Sequence, residues 1–152
     1  LSCIDSRVPA EIVFDQGIGD IFSARIAGNL VNDDILGSLE FACKVAGSKV
    51  IVVLGHTSCG AVKGACDNVE LGKLTGMLAK IKPAVNGVEG TYADKSSSNA
   101  DFVQAVSDKN VSLTVEAIKT QSEVLKEMLD NNEISIVGAM SDVATGKVTF
   151  NS

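Results

Sequence analysis

The chain has 152 residues, 45% of them apolar and 21% charged, which suits a single domain with a full core. Its 13 Lys and Arg against 19 Asp and Glu give a formal charge of −6; with no basic excess to displace counterions from phosphates, nucleic acid is excluded as a partner. The longest uninterrupted apolar run, residues 50–55, is strand-sized and far short of the ~20 residues that cross a bilayer, so no membrane partner is expected.

In chain order, residues 1–4 read as the end of a buried strand that delivers Cys3 and Asp5 at its carboxyl end. Pro9-Ala10-Glu11 opens a short helix, with Pro early, where its missing N–H costs nothing. Residues 21–26 read as a second strand, preceded by the loop Gln16-Gly17-Ile18-Gly19-Asp20. That loop lacks the third glycine and the helix start of a dinucleotide fingerprint, and is read as a turn. Asn32-Asp33-Asp34 supply cap residues for a helix in which Ile35, Leu39, Ala42 and Ala46 recur at helical spacing until Gly47. Residues 49–54 are a nearly continuous β-branched run, the pattern of a parallel strand covered on both faces.

This strand ends at Gly55, just before His56, and Cys59-Gly60-Ala61-Val62 begins another helix. Residues 71–85 read as helix and residues 86–99 as loop. Val111, Val115, Ile118, Leu125 and Leu129 mark one long amphipathic helix, and residues 134–140, a turn at Thr145-Gly146 and residues 147–150 close the chain as a hairpin-like pair. The alternation predicts one α/β domain over residues 1–152, with a mostly parallel central sheet flanked by helices.

Four cysteines, Cys3, Cys43, Cys59 and Cys66, allow two disulfides in three pairings. A domain with this much core does not need such staples, and a lone histidine three positions before Cys59 points to metal instead. Cys43 and Cys66 lie in apolar helical patterns and read as core thiols.

Cys3, His56 and Cys59 are soft or borderline donors that suit Zn2+, and three protein ligands rather than four leave a coordination position open for chemistry. They fall at the carboxyl edge of the sheet, where α/β proteins place their sites. Asp5, two residues from Cys3, shares its side of an extended segment, and Arg7 can fork onto that carboxylate to keep it ionised and fixed in direction. Cys59 at a helix amino end lies in a positive field that favours the thiolate. Two thiolates cancel the charge of Zn2+, so water bound there acidifies less readily than beside three imidazoles. Asp5 as an acceptor meets that difficulty by orienting hydroxide. With water bound the formal charge of metal, thiolates, Asp5 and Arg7 sums to zero, which suits a neutral electrophile. His56 is the only histidine, so no second imidazole carries the proton away, and export is expected to use buffer or nearby carboxylates.

Cys-x-Asp-Ser-Arg at residues 3–7, followed by His-x-x-Cys-Gly at residues 56–60, resembles the signature of the β-class carbonic anhydrases. Asp15-Gln16-Gly17-Ile18-Gly19-Asp20-Ile21-Phe22, Arg25-Ile26-Ala27-Gly28-Asn29, Gly37-Ser38-Leu39-Glu40-Phe41-Ala42 and residues 50–55 extend the likeness. The resemblance implies Cys3, His56 and Cys59 as ligands of one zinc per chain, and Asp5 with Arg7 as a catalytic dyad. It implies hydration of CO2 to bicarbonate by zinc-bound hydroxide; some members instead close the zinc with the Asp beside a pocket that uses a Gly just before the first Cys, and because Ser2 stands there an open, water-bound zinc is expected. It places Phe22, Ala27, Phe41 and Gly60 in the apolar substrate pocket, partly across a subunit interface, in a homodimer or dimer-based tetramer. The family's Gly-Gln-x-Pro segment and amino-terminal helices are not found in this sequence. A related hydrolase of COS or CS2, or a zinc-binding but inactive member, are the alternatives. A cytoplasmic location is expected, with the periplasm second.

Overall fold

The computed structural model describes residues 1–151. Its sheet has the order β1 (Val50–His56), β2 (Ser135–Ser141), β3 (Val148–Phe150), with β1 and β2 parallel and β3 antiparallel to β2. The β1–β2 register runs from Val50 opposite Ser135 to His56 opposite Ser141, so His56 is the last paired residue at the carboxyl end of β1. Burial of Val53 and Leu54 on opposite faces explains the continuous apolar pattern of β1.

The first residues of the chain extend this edge. Ser2 bridges Leu54 on one side and Arg25 on the other, both in parallel sense. Leu54 N–H donates to the Leu1 carbonyl at 2.8 Å, and Ile26 N–H donates to the Ser2 carbonyl at 3.0 Å. Cys3 therefore leaves one extended segment beside the strand that ends in His56. Residues 21–26, expected as a strand, make only this bridge at Arg25. Phe22 and Ser23 stand exposed at the outer edge, with no neighbouring strand among the described residues to pair the far side.

Seven α-helices cover the sheet among the described residues: α1 (Ala10–Val13), α2 (Asp33–Glu40), α3 (Gly60–Cys66), α4 (Gly72–Ala79), α5 (Lys82–Asn86), α6 (Ala100–Gln121) and α7 (Glu123–Asp130). Asn32 caps α2, its side chain accepting from Ile35 N–H at 2.9 Å. The helix then widens into a π-helical turn, Phe41–Val45, before Gly47 at φ 85°. The helix expected over residues 71–85 is two, α4 and α5, because Pro83 in the first turn of α5 has no N–H to continue the ladder. The long helix expected around residues 111–129 begins at Ala100 and breaks at Ser122. Ser122 is extended, accepts from Leu125 N–H at 3.1 Å and donates to Glu40 Oε1 at 2.6 Å, so its hydroxyl caps α7 and ties it to α2.

The core divides around the sheet. One cluster gathers Val62, Ala65, Ile81, Phe102 and Val106 with Cys3, Cys59 and Cys66; the other gathers Val53, Val111, Ile118, Leu125 and Met128 with Cys43. All four cysteines are free and buried, and Cys43 and Cys66 sit in these clusters as core thiols. Helix α6 lies very close to the sheet at Val111, where a Cβ on Gly55 would come within 2.5 Å of Val111 Cγ2 and one on Gly138 within 2.8 Å of Val111 Cγ1. Among the described residues no helix is long and apolar enough to cross a membrane.

Candidate metal centre

Cys3, His56 and Cys59 arrive at one point from two neighbouring strand ends and the turn that follows β1. The turn is tight: Ser58 takes φ 55°, and Cys59 is the last extended residue before α3. The three donor atoms lie within 4.8 Å of one another, and Cys3 Sγ is 4.0 Å from Cys59 Sγ, although the two residues are 56 positions apart. All three residues are buried, with His56 and Cys59 each 1% exposed.

The electrostatics suit a cation. A hydrogen bond from Cys59, stronger in effect than burial, lowers the Cys3 thiol to a pKa of about 4, while the same contact together with burial raises Cys59. The two thiols therefore titrate as a pair, which holds one proton between its sulfurs more readily than two. The backbone N–H groups of Val62 and Ala61 act on Cys59 in the opposite sense. His56 Nδ1 is 3.0 Å from the Thr57 carbonyl, which fixes that nitrogen as the donor and leaves the lone pair on Nε2. Nε2 is buried with no hydrogen-bond partner, a costly state for a polar atom unless something else fills its place. Two sulfurs that share a proton and an orphaned imidazole nitrogen form a donor set that fits a soft divalent cation such as Zn2+.

Asp5 and Arg7 lie at the rim. Arg7 Nε donates to Asp5 Oδ1 at 2.9 Å and Nη2 to Oδ2 at 2.7 Å, and the Arg7 backbone N–H adds a third bond to Oδ1 at 3.0 Å. The Arg7 side chain is itself steadied by the Ser58 carbonyl, 3.3 Å from Nη2. The Arg7 hydrogen bonds hold the Asp5 carboxyl well below the ordinary carboxylate range, against a smaller upward push from burial. Asp5 Oδ2 is 3.9 Å from His56 Nε2, so the carboxylate faces the donor set with an oxygen that Arg7 already holds.

The residues expected to form the substrate wall fall in two places. Ala27 opens a short 3-10 turn, Ala27–Asn29, next to Gly28, whose N–H donates to Cys3 Sγ at 3.4 Å. Gly60 opens α3 directly after Cys59. Phe22 and Phe41 meet edge to face, ring centroids 6.3 Å apart, in a half-exposed groove that also contains Ile35 and Leu39 but none of the three donor residues.

Three residues bear on the site without having been singled out from sequence. Arg25 Nε donates to the Cys3 carbonyl at 2.8 Å and Nη2 to the Asp5 carbonyl at 2.6 Å, so one guanidinium holds the backbone of both. Gly28 contributes its N–H to the Cys3 sulfur, and Asn110 on α6 donates to the Gly28 carbonyl at 2.8 Å. All of these bonds involve backbone groups, which leave no signature of spacing.

A mostly parallel sheet with three gathered donors at its carboxyl edge and a carboxylate–guanidinium pair at the rim defines an α/β protein with a group that could hold a metal. Comparison with known proteins narrows this. The carbonic anhydrase family model matches residues 1–148. Carbonic anhydrase 2 of Mycobacterium tuberculosis is 35% identical over 148 residues, covering 97% of this chain and 70% of its own length. A carbonic anhydrase of Mycolicibacterium smegmatis is 35% identical over 150 residues, covering 99% and 72%. Among solved structures, the β-carbonic anhydrase CafA of Aspergillus fumigatus superposes with a TM-score of 0.86 at 25% identity, over 99% of this chain and 73% of that one. The chain belongs to the β-class carbonic anhydrases.

Proposed function

We propose that this chain catalyses the reversible hydration of CO2 to bicarbonate and a proton, with one Zn2+ held by Cys3, His56 and Cys59. The observation that carries the reading is the gathering of two buried sulfurs and an unpartnered imidazole nitrogen within 4.8 Å, beside a carboxylate fixed by a forked arginine. When bound, zinc supplies the Lewis acidity that makes water nucleophilic near neutral pH.

The residues of the chain do the rest. Cys3 and Cys59 give up their shared proton and balance the metal charge, while the Thr57 carbonyl keeps the His56 ring oriented with Nε2 toward the sulfurs. Asp5, kept ionised by Arg7, can only accept. A water donating one hydrogen to Asp5 Oδ2 turns its lone pair away from the carboxylate and toward the carbon of CO2. As the new C–O bond forms, one C=O electron pair moves onto oxygen, and the surplus proton leaves to solvent. Ala27 and Gly60, flanking the donors, offer a small wall for a linear apolar gas, to which Phe22 and Phe41, in a groove of their own, would contribute across a subunit interface. The half-exposed Phe22–Phe41 groove fits cover by a second copy, in keeping with relatives from Sordaria macrospora described as tetrameric β-carbonic anhydrases, TM-score 0.84 and 21% identity over 98% of this chain and 77% of that one.

Metal analysis and stopped-flow CO2 hydration test the reading; one zinc per chain and metal-dependent turnover are expected. A carbon disulfide hydrolase of Acidithiobacillus thiooxidans, 34% identical over 76 residues and covering 46% of this chain and 35% of its own length, makes CS2 the substrate to run in parallel. Zinc-loaded protein inert to CO2 but active on CS2 would transfer the assignment to that reaction. Protein that binds no zinc would remove both.

A further inference from the structure

Asn110 and Cys3 belong to different layers of the fold, yet one backbone turn links them. Asn110 lies on α6, 3% exposed, and its Nδ2 donates to the Gly28 carbonyl at 2.8 Å across 82 positions of sequence. Gly28 is itself buried, in the left-handed region at φ 74°, and its N–H points at Cys3 Sγ at 3.4 Å. The two faces of this one residue are thus occupied by the helix and by the ligand sulfur. A side chain at Gly28 would be strained by that backbone and would have to displace Ile81 Cδ1, 2.8 Å from a Cβ placed there.

We infer that Asn110 is a positioning residue for the metal centre: it locks the Gly28 turn so that the Gly28 N–H stays aimed at the Cys3 sulfur. The inference rests on the reading of Cys3 as a metal ligand. Its chemical consequence follows from the donor set. Two thiolates push so much charge onto a divalent cation that water beside it acidifies poorly. An N–H donor on one thiolate draws part of that charge back and leaves the cation more electrophilic. A free backbone turn supplies such a donor only part of the time; one tied at its carbonyl to a buried helix supplies it continuously. Asn suits the task because its amide can donate to a buried carbonyl without introducing charge.

The test uses the chain loaded with Co2+, whose thiolate-to-metal charge-transfer bands report electron donation from sulfur. Asn110→Leu keeps the branching at Cγ and removes the donor; Asn110→Asp keeps the shape and sets an acceptor against the Gly28 carbonyl. Thr114→Val, one turn further along α6 at a residue 3% exposed, controls for general damage to the helix. Expected results are a shift of the charge-transfer bands and a loss of about 10–100-fold in metal affinity or turnover in either Asn110 variant, with Thr114→Val unchanged. If Leu does not fold, Asp carries the comparison. Bands and affinity that stay at wild-type values in a folded Asn110 variant, or that move equally in Thr114→Val, overturn the inference while leaving the metal assignment intact. A wild-type chain that shows no thiolate bands with Co2+ overturns the metal assignment and the inference together.

Discussion

Asp5 Oδ2 lies 2.7 Å from Arg7 Nη2 and 3.9 Å from His56 Nε2, so a single oxygen belongs both to an ion pair and to the mouth of the donor set. Replacing Asp5 by Asn preserves shape and removes the obligate acceptor, since the amide can present a donor instead. We expect Asp5→Asn to retain its zinc and to lose about 10²-fold or more in turnover, within the range for removal of a positioned proton acceptor. Stopped-flow hydration with parallel metal analysis separates the two effects; wild-type turnover in the variant would refute the assignment.

The same ion pair has a signature in acid. Arg7 holds the Asp5 carboxyl below its ordinary value of 3.8, so the pair's contribution to stability is fully present above that pH and is lost as pH falls toward the lower folded value. In Arg7→Gln the largest cause of the shift, the guanidinium hydrogen bonds, is gone, while the backbone N–H bond to Asp5 stays. Denaturation curves of the two proteins should therefore differ above pH 3.8 and converge below it. A gap that stays constant across that range would contradict the linkage. Partial exposure of both side chains keeps the difference small.

Arg25 spans the carbonyls of Cys3 and Asp5 with two separate nitrogens. Lysine carries its donors on one nitrogen and cannot reproduce the two-nitrogen fork. Arg25→Leu is expected to lower zinc affinity by about 10–100-fold, and Arg25→Lys to recover only part of that loss. Competition against a chelator of known affinity gives the number; full recovery by Lys would mean that charge, not the forked geometry, is what matters.

Gly28→Ala meets two obstacles, a left-handed backbone at φ 74° and the Ile81 side chain. The backbone alone costs about 1–2 kcal/mol. Urea denaturation of the metal-free protein should show at least that loss, and an unchanged midpoint would show that the turn relaxes freely.

Metal removal should be visible in stability as well as in activity, because the donors come from segments that meet only in the folded chain. Free zinc at a hundredfold excess over its dissociation constant adds about 2.7 kcal/mol. Thermal melts with and without chelator measure this, and coincident melts would argue that zinc does not bind the folded state preferentially.

Much of this architecture was legible in the residues, and the failures are physically specific. The β-branched run of β1, the cap at Asn32 and the pairing of Cys3 with His56 and Cys59 follow from local pattern and from the rule that α/β sites gather at carboxyl strand ends. Residues 21–26 look like a strand by composition, but strand formation needs a neighbour, and only Ser2 provides one. The periodicity of apolar residues runs through Ser122 because α6 and α7 pack on the same core, whereas the break depends on a hydroxyl that both caps a helix and reaches Glu40. Phe22 and Phe41 meet edge to face in one groove, a tertiary pairing that no spacing encodes. Arg25 and Asn110 were invisible as site residues because each addresses a backbone carbonyl, and every residue has one of those.

The bare backbone at Gly55 and Gly138 has an effect that reaches beyond packing. It lets Val111 sink between the strands, and Asn110, its neighbour in the chain, is carried inward with it to the Gly28 carbonyl. The depth of α6 thus works as a ruler. A methyl group added at residue 55, touching neither metal nor substrate, would raise the helix and lengthen the reach of Asn110, so the aim of the Gly28 N–H at the Cys3 sulfur depends on what is missing from the neighbouring strand.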